Sequence, residues 1–405
     1  LKSGQLQLAV VLGLVTAVGP FAIDAYLPAL PAIGQALAAS PSAVQMTLTA
    51  FFLTLGFGQL AYGPAADMLA RKAPLYFGLA LFVLSSVGCA LSQSVATLIV
   101  FRLLQGLGAC AGMVVPRAIV RDIYTGADAA RLMSMLMLLV SISPILAPLT
   151  GGLIVAGFGW RGVFWFVFAA ALLGLLLLHF ALQETRAHHE RASSTVSGAF
   201  ASYGQLFKDR HFIGLTMTGS FGVASFFSYL SNSSFVFINH YHYSPQIFGV
   251  FFGLNAFAFF AAAQGAAWLI GRFGMARVIR FAAAGYCLAM VMVAALFLVG
   301  VDSVVVLVSF LFTGFGCLGL VIPTTSVMAL EEQGHVAGTA SALLGTLQFA
   351  TGAVIMSLIA PSESGTPIPM LITIAAVSVL TLVLALITLH GTASPPDKAI
   401  GREAS

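Results

Sequence analysis

Pro20–Pro31 reads PFAIDAYLPALP. It sets one carboxylate, Asp24, near the end of a run that is otherwise apolar back to Leu8. An ionisable side chain in a membrane helix is costly. It ordinarily faces a water-filled path or a partner charge, and by default it marks a transport or proton-relay site. A competing reading puts Asp24 at a helix end in the headgroup layer, because Pro28 and Pro31 predict that the helix stops close by.

Composition decides that this stretch belongs to a membrane protein. The chain has 405 residues, 60% hydrophobic and only 7% charged, whereas soluble domains carry about a quarter charged residues. A water-soluble fold of this length would have no surface to offer solvent. The apolar runs are about 20 residues long and unalternating, which fits helices rather than barrel strands. No A-x-A-like site follows the first run, so it is expected to be a span and not a removed leader. The four cysteines sit in separate apolar runs, and the histidines form no HExxH pair, so neither a disulfide framework nor a metal site is expected.

Twelve apolar spans are predicted. They cover roughly 6–29, 43–66, 74–92, 96–118, 132–155 and 160–182, then 211–237, 245–270, 277–299, 303–327, 337–360 and 367–389. The fold class is therefore an all-α polytopic membrane protein with two six-helix lobes, 1–182 and 211–390. A polar cytoplasmic linker, 183–210, separates them, and a tail, 391–405, follows. Ser193–Ser202 reads as flexible, and Tyr203–Arg210 as a short interfacial helix.

Lys and Arg fix the expected orientation. With both termini in the cytoplasm, every one of the 17 except Arg161 and Arg102 lies on the cytoplasmic side. That is the positive-inside pattern, and it gives the net charge of +4 a membrane cause. No basic, aromatic-bearing soluble surface suggests nucleic acid.

The halves repeat. Ser40–Gly63 parallels Ser244–Ala266, and Gly106–Pro116 parallels Gly314–Pro323. A half-chain repeat is what a two-lobed transporter shows, with the substrate path between its lobes. The repeat fails at its charges, because Arg102 falls opposite Phe310 and Asp24 opposite about Ser228. Proton chemistry is thus expected in the first lobe, with the second shaping the cavity. Asp24 and Arg102 fall at comparable depth, so they can pair, or exchange partners as a proton arrives. A plainer role for Arg102 is to bond backbone carbonyls or glutamines and staple helices.

Polar residues within spans are few, and most should face the bundle interior. Tyr26, Gln45, Tyr229, Asn232, Asn255 and Gln348 are the candidate substrate contacts. Phe226–Phe237, FFSYLSNSSFVF, reads as a cavity wall or as ordinary helix filling. The loop Gly63–Leu75 reads as a gate. Gly63 permits close approach, Asp67 is placed to bond a helix end or an arginine in the 117–131 region such as Arg121, and Arg71 with Lys72 should anchor at anionic lipid. Pro144 and Pro148 should distort the fifth span, and Gly151 and Gly152 let a partner helix close on it. No Walker sequence or channel filter is present.

These residues resemble the major facilitator superfamily, in particular its bicyclomycin/chloramphenicol-resistance branch of drug:proton antiporters. The likeness covers roughly 8–390. Asp24–Pro31 is similar to the branch's first-helix signature, Gly63–Lys72 to the superfamily's loop signature, and Arg102–Gly106 to its fourth-helix signature. Arg117–Asp122 and Tyr229–Ser231 are typical of the branch, and Ala147-Pro148 with Gly151-Gly152 resembles the antiporter signature of the fifth helix. Met68 and Ala70 depart from the loop pattern, which has a basic residue and a glycine there. The resemblance implies a major facilitator fold, no cofactor, and export of a small amphiphilic drug across the bacterial inner membrane, driven by the proton gradient. It implies that Asp24 and Arg102 couple proton to substrate, in a protein expected to work as a monomer. An exporter or symporter of an endogenous metabolite is the alternative; a non-transporting receptor on the same fold is another.

Overall fold

A computed structural model describes residues 3–69, 71–124, 126–181, 196–333, 336–359 and 366–390. It is helical throughout. The first crossing is α1 (Ser3–Asp24), a 3-10 turn (Leu27–Ala29) and α2 (Leu30–Ala36). Then come α3 (Pro41–Leu69), α4 (Lys72–Leu91), α5 (Val95–Ile123) and α6 (Gly126–Ala181). α7 (Val196–Lys208) links the lobes. α8 (Arg210–Ser234) runs into a π-helical turn (Phe235–His240), followed by α9 (Pro245–Phe273), α10 (Met275–Leu298), α11 (Val304–Glu331), α12 (Ala337–Ile359) and α13 (Pro367–Thr388). α6 crosses twice, because Gly159 takes φ 71°, a left-handed value that glycine adopts without strain, and breaks it in two. Twelve crossings result among the described residues.

The sequence places the helix starts. Ser94 and Thr97 form a capping box on α5. Asp209 accepts from the backbone N–H of His211 and of Phe212 at the head of α8. Ser40 and Ser244 accept from Ala43 and Ile247, so the two repeat members α3 and α9 begin alike. Several helices overrun the predicted spans by a turn at the end where Arg71, Lys72, Arg131, Lys208, Arg272 and Arg277 collect, called here the basic end.

Three expectations are corrected. α1 stops at Asp24, close to Pro28 as predicted, but the apolar crossing does not finish near Pro31. Pro28 and Pro31 sit in first turns, where a missing N–H costs nothing, and the apolar span continues to Ala36. Asp24 therefore falls inside this apolar stretch, at the point where α1 ends. α7 starts at Val196, inside the stretch read as flexible. α6 keeps helical dihedrals through Pro144 and Pro148, and Gly159 alone departs from them.

Two six-helix lobes follow, α1–α6 and α8–α13. They meet along α6 against α9 and α3 against α12. The 3-10 turn and α2 also touch the second lobe, at α8, α9 and the π turn. At the far end Asp302 accepts from Tyr241 at 2.6 Å and bonds His240 at 2.8 Å. The Tyr241 hydroxyl holds the Asp302 carboxyl below its ordinary 3.8, so Asp302 stays a carboxylate acceptor at neutral pH and loses that role only as pH falls through the lowered value. Asp302 thus ties the α10–α11 connection to the end of the π turn.

Within the first lobe, close packing rests on α5. A Cβ on Gly108 would lie 2.6 Å from the Gly78 carbonyl and 2.7 Å from Phe82 N, both backbone atoms. Gly63 has nothing within 4 Å of such a Cβ, so the close approach expected there does not occur. Gly108→Ala is expected to cost about 1–3 kcal/mol and to lower the thermal midpoint of the purified protein, while Gly63→Ala leaves it unchanged.

Candidate functional site

Asp24 ends α1 and is 4% exposed. It is the one buried carboxylate among the described residues. Its Oδ2 accepts from Ser143 Oγ on α6 at 3.4 Å. Arg102, on α5, is fully buried. Its Nη1 donates to Gln105 Oε1 at 2.7 Å, and Gln105 Nε2 donates to Ser86 Oγ on α4 at 2.8 Å. The guanidinium lies over Tyr26 at 4.5 Å and Phe51 at 4.2 Å. Its Nε and Nη2 have no hydrogen-bond partner among the described residues.

Asp24 and Arg102 therefore form no pair. The helix ends at Asp24, and the turn that follows presents Tyr26 to Arg102 while Asp24 faces α6. Burying a charge costs several kcal/mol. For Arg102 two aromatic faces offset part of this, at up to about 2 kcal/mol each when desolvated. The Arg102–Gln105–Ser86 chain joins α4 and α5, so the plainer stapling role is present too.

The expected substrate contacts divide into three groups. Tyr26 is fully buried, and its hydroxyl bonds Thr47 Oγ1 at 2.7 Å. Tyr229, on α8 of the second lobe, is likewise buried. It accepts from Asn255 Nδ2 at 2.9 Å and stacks on Phe252 at 5.4 Å. Asn255 Oδ1 is left unpartnered. Gln348 is half-buried and donates to Ser326 within the second lobe. Gln45 and Asn232 are a pair across the seam: Gln45 Nε2 donates to Asn232 Oδ1 and to the Ser231 carbonyl, both at 3.4 Å.

That pair opens a row of interlobe contacts at the far end. Next inward, Phe52 stacks on Phe227 at 3.9 Å and on Phe349 at 6.0 Å. Then Thr346 Oγ1 donates to the Gly56 carbonyl at 2.9 Å. On the other flank Gly152 lies against Pro245, Gly249 against Pro148, and Gly253 against Ile145. Gly151, one residue before Gly152, lies against Ala25. At the two glycines α6 touches the turn after α1 and the opposite lobe at one level. The seam is closed from the far end to mid-depth. Phe226–Phe237 is largely buried in this seam and in the second lobe's core.

The gate loop differs from its reading. The side chains of Asp67 and Arg121 lie outside the described residues. Arg71 is buried and makes a two-pronged pair with Asp122, Nε to Oδ2 at 2.7 Å and Nη2 to Oδ1 at 3.1 Å. It is spent on the end of α5 and not on lipid. Arg161, the exception at the far end, donates to the carbonyls of Ala90 and Ser92 and caps α4.

Ser143, Thr47, Phe52, Phe349 and Thr346 were not singled out from the sequence, and Phe227 and Asp122 only as parts of longer stretches. A serine or phenylalanine in an apolar run carries no signal of its own. Only Phe52 had one, through Gln45, two turns earlier on the same face.

The description of the Major Facilitator Superfamily fits residues 12–357. The chain belongs to that superfamily. It is 37% identical to an uncharacterized MFS-type transporter, YdgK, of Bacillus subtilis, over 90% of this chain and 91% of the relative. It is 29% identical to a bicyclomycin resistance protein homolog of Haemophilus influenzae, over 92% and 93%. A solved structure of the nucleoside transporter NupG shares the fold at TM-score 0.76 and 13% identity, over 96% of this chain and 99% of that one. The chain is a multi-pass membrane transporter of small molecules and not an enzyme.

The seam sets an expectation. Phe52→Ala removes the central ring of the plug and should favour parting of the lobes at the far end. Labelling of Ser234→Cys, buried near the far end of α8, by a bulky polar thiol reagent should speed up about tenfold, which corresponds to about 1.4 kcal/mol.

Proposed function

We propose that this transporter exports small amphiphilic drugs, chloramphenicol- or bicyclomycin-like, in exchange for protons across the bacterial inner membrane. The basic end faces the cytoplasm, as do both termini, and the far end faces the periplasm. The proton gradient supplies the drive with no cofactor, and a monomer among lipids suffices.

The observation that carries the reading is Asp24: a carboxylate enclosed at membrane depth, bonded to one serine and to no cation. A group of this kind can take and release a proton without dragging an ion partner. Its segment also lies beside the seam, through Ala25 against Gly151. The relative named for bicyclomycin resistance supports the class of cargo.

The cycle is alternating access. In the form described, the periplasmic side is shut by Gln45–Asn232 and by the Phe52, Phe227 and Phe349 rings. Drug enters from the cytoplasm and meets the inner faces of both lobes. Tyr26, Tyr229 and Asn255 become available to it as the lobes part, and the unpartnered Asn255 oxygen and Arg102 donors are then ready to bond it. Proton and drug drive transport only through unequal affinity for the two states. Gln45 and Asn232 act as the periplasmic latch in this form.

Asp24→Asn is isosteric and should fold. Reconstituted in liposomes, it is expected to lose uphill movement of labelled chloramphenicol on a pH gradient, while the wild type concentrates it. Uphill movement by the variant would overturn the assignment.

A further inference from the structure

We infer that Ser143 is the positioning residue that passes the protonation state of Asp24 to the lobe seam. The inference rests on the reading of Asp24 as the proton carrier. It adds the route by which one proton reaches the contacts that decide which side is open.

Ser143 is 3% exposed and lies on the first half of α6. Its hydroxyl supplies the one hydrogen bond recorded for Asp24. Two residues further on, Ile145 lies against Gly253 of the other lobe. One turn beyond, Pro148 meets Gly249, and Gly152 meets Pro245. A single helix therefore touches the carboxylate on one face and three places in the opposite lobe on another.

The chemistry is a change of role at one bond. A carboxylate only accepts, so it holds the serine hydroxyl as its donor. A carboxylic acid has an O–H to give, and the serine can turn to accept or swing back to a backbone carbonyl of its own helix. Pro148 leaves the carbonyl of Pro144 without its helical N–H partner, and Pro144 does the same for Val140. This turn of α6 thus has acceptors to spare just where Ser143 sits, and its backbone is less firmly tied than the rest. A shift of the serine moves the turn that carries Ile145, and the seam glycines leave no side chain to absorb the movement. Arg102 takes no part, since its partners are Gln105 on its own helix and the rings of Tyr26 and Phe51, and none lies on α6.

The test needs no substrate. Spin labels are placed on cysteines replacing Gln35, exposed on α2, and Val299, exposed at the end of α10. Cys287 and Cys317, the half-buried native thiols, are changed to serine. The distance across the periplasmic end is measured in lipid nanodiscs at about pH 5 and about pH 8. The wild type is expected to show a pH-driven change in the distance distribution. Ser143→Ala should lose it, and Ser143→Thr, which keeps the hydroxyl, should retain it. Should the alanine variant not fold, Ser143→Cys, nearly isosteric but a weak donor, should lose most of the change. A serine that only fills space would give the same response in the alanine and threonine variants. An unchanged response in Ser143→Ala or Ser143→Cys, with none in Asp24→Asn, would overturn this route and leave Asp24 as the carrier. A full response in Asp24→Asn would overturn both.

Discussion

Everything in the first lobe follows from one constraint. An acid and a base are both enclosed within the membrane-spanning bundle, and they are kept from neutralising each other. An ion pair would satisfy both groups, and it would also remove the reason for a proton to come and go. The chain avoids it with a helix end. α1 stops at Asp24, and the short turn to Leu27 carries Tyr26 to Arg102 while Asp24 is left facing α6. The base is then held by aromatic faces and by Gln105, and the acid by a single serine.

The lobes differ because of this. Tyr229 is the buried tyrosine of α8 in the second lobe. Its surroundings are Phe252, Phe315 and Asn255, with no charge. The repeat has kept the scaffold and confined the titrating groups to one side of the path. The seam between the lobes uses small residues where backbones touch and flat rings where side chains do. Those are contacts that can be broken and remade as whole surfaces, since no interlobe ion pair is recorded among the described residues.

Much of the architecture was legible in the sequence. Twelve spans in two lobes followed from apolar run length and from the distribution of Lys and Arg, because lipid leaves a backbone few options. Asp24, Arg102 and the Gly151-Gly152 pair stood out since charge and close glycine pairs are rare at depth. What could not be read was which groups meet. Asp24 and Arg102 meet different neighbours, Ser143 on α6 and Gln105 with Tyr26, and the end of α1 at Asp24 separates them. Gln45 and Asn232 were recognisable as interior, yet only the docking of the lobes makes them partners across a seam. Arg71 looked like a lipid anchor until Asp122, on another helix, was placed beside it. Pro144 and Pro148 signalled a bend, but α6 absorbs both in helical geometry, and Gly159 marks the true break.

The account turns on Asp24 holding the proton itself, with no help from an arginine partner. Infrared difference spectroscopy reads this directly. The purified protein is taken through a pH titration, and the carbonyl stretch of a protonated carboxylic acid in a water-poor setting is followed. The account predicts such a band in the wild type and its loss in Asp24→Asn. The same band persisting in Asp24→Asn, or its absence from the wild type at every pH, would contradict it.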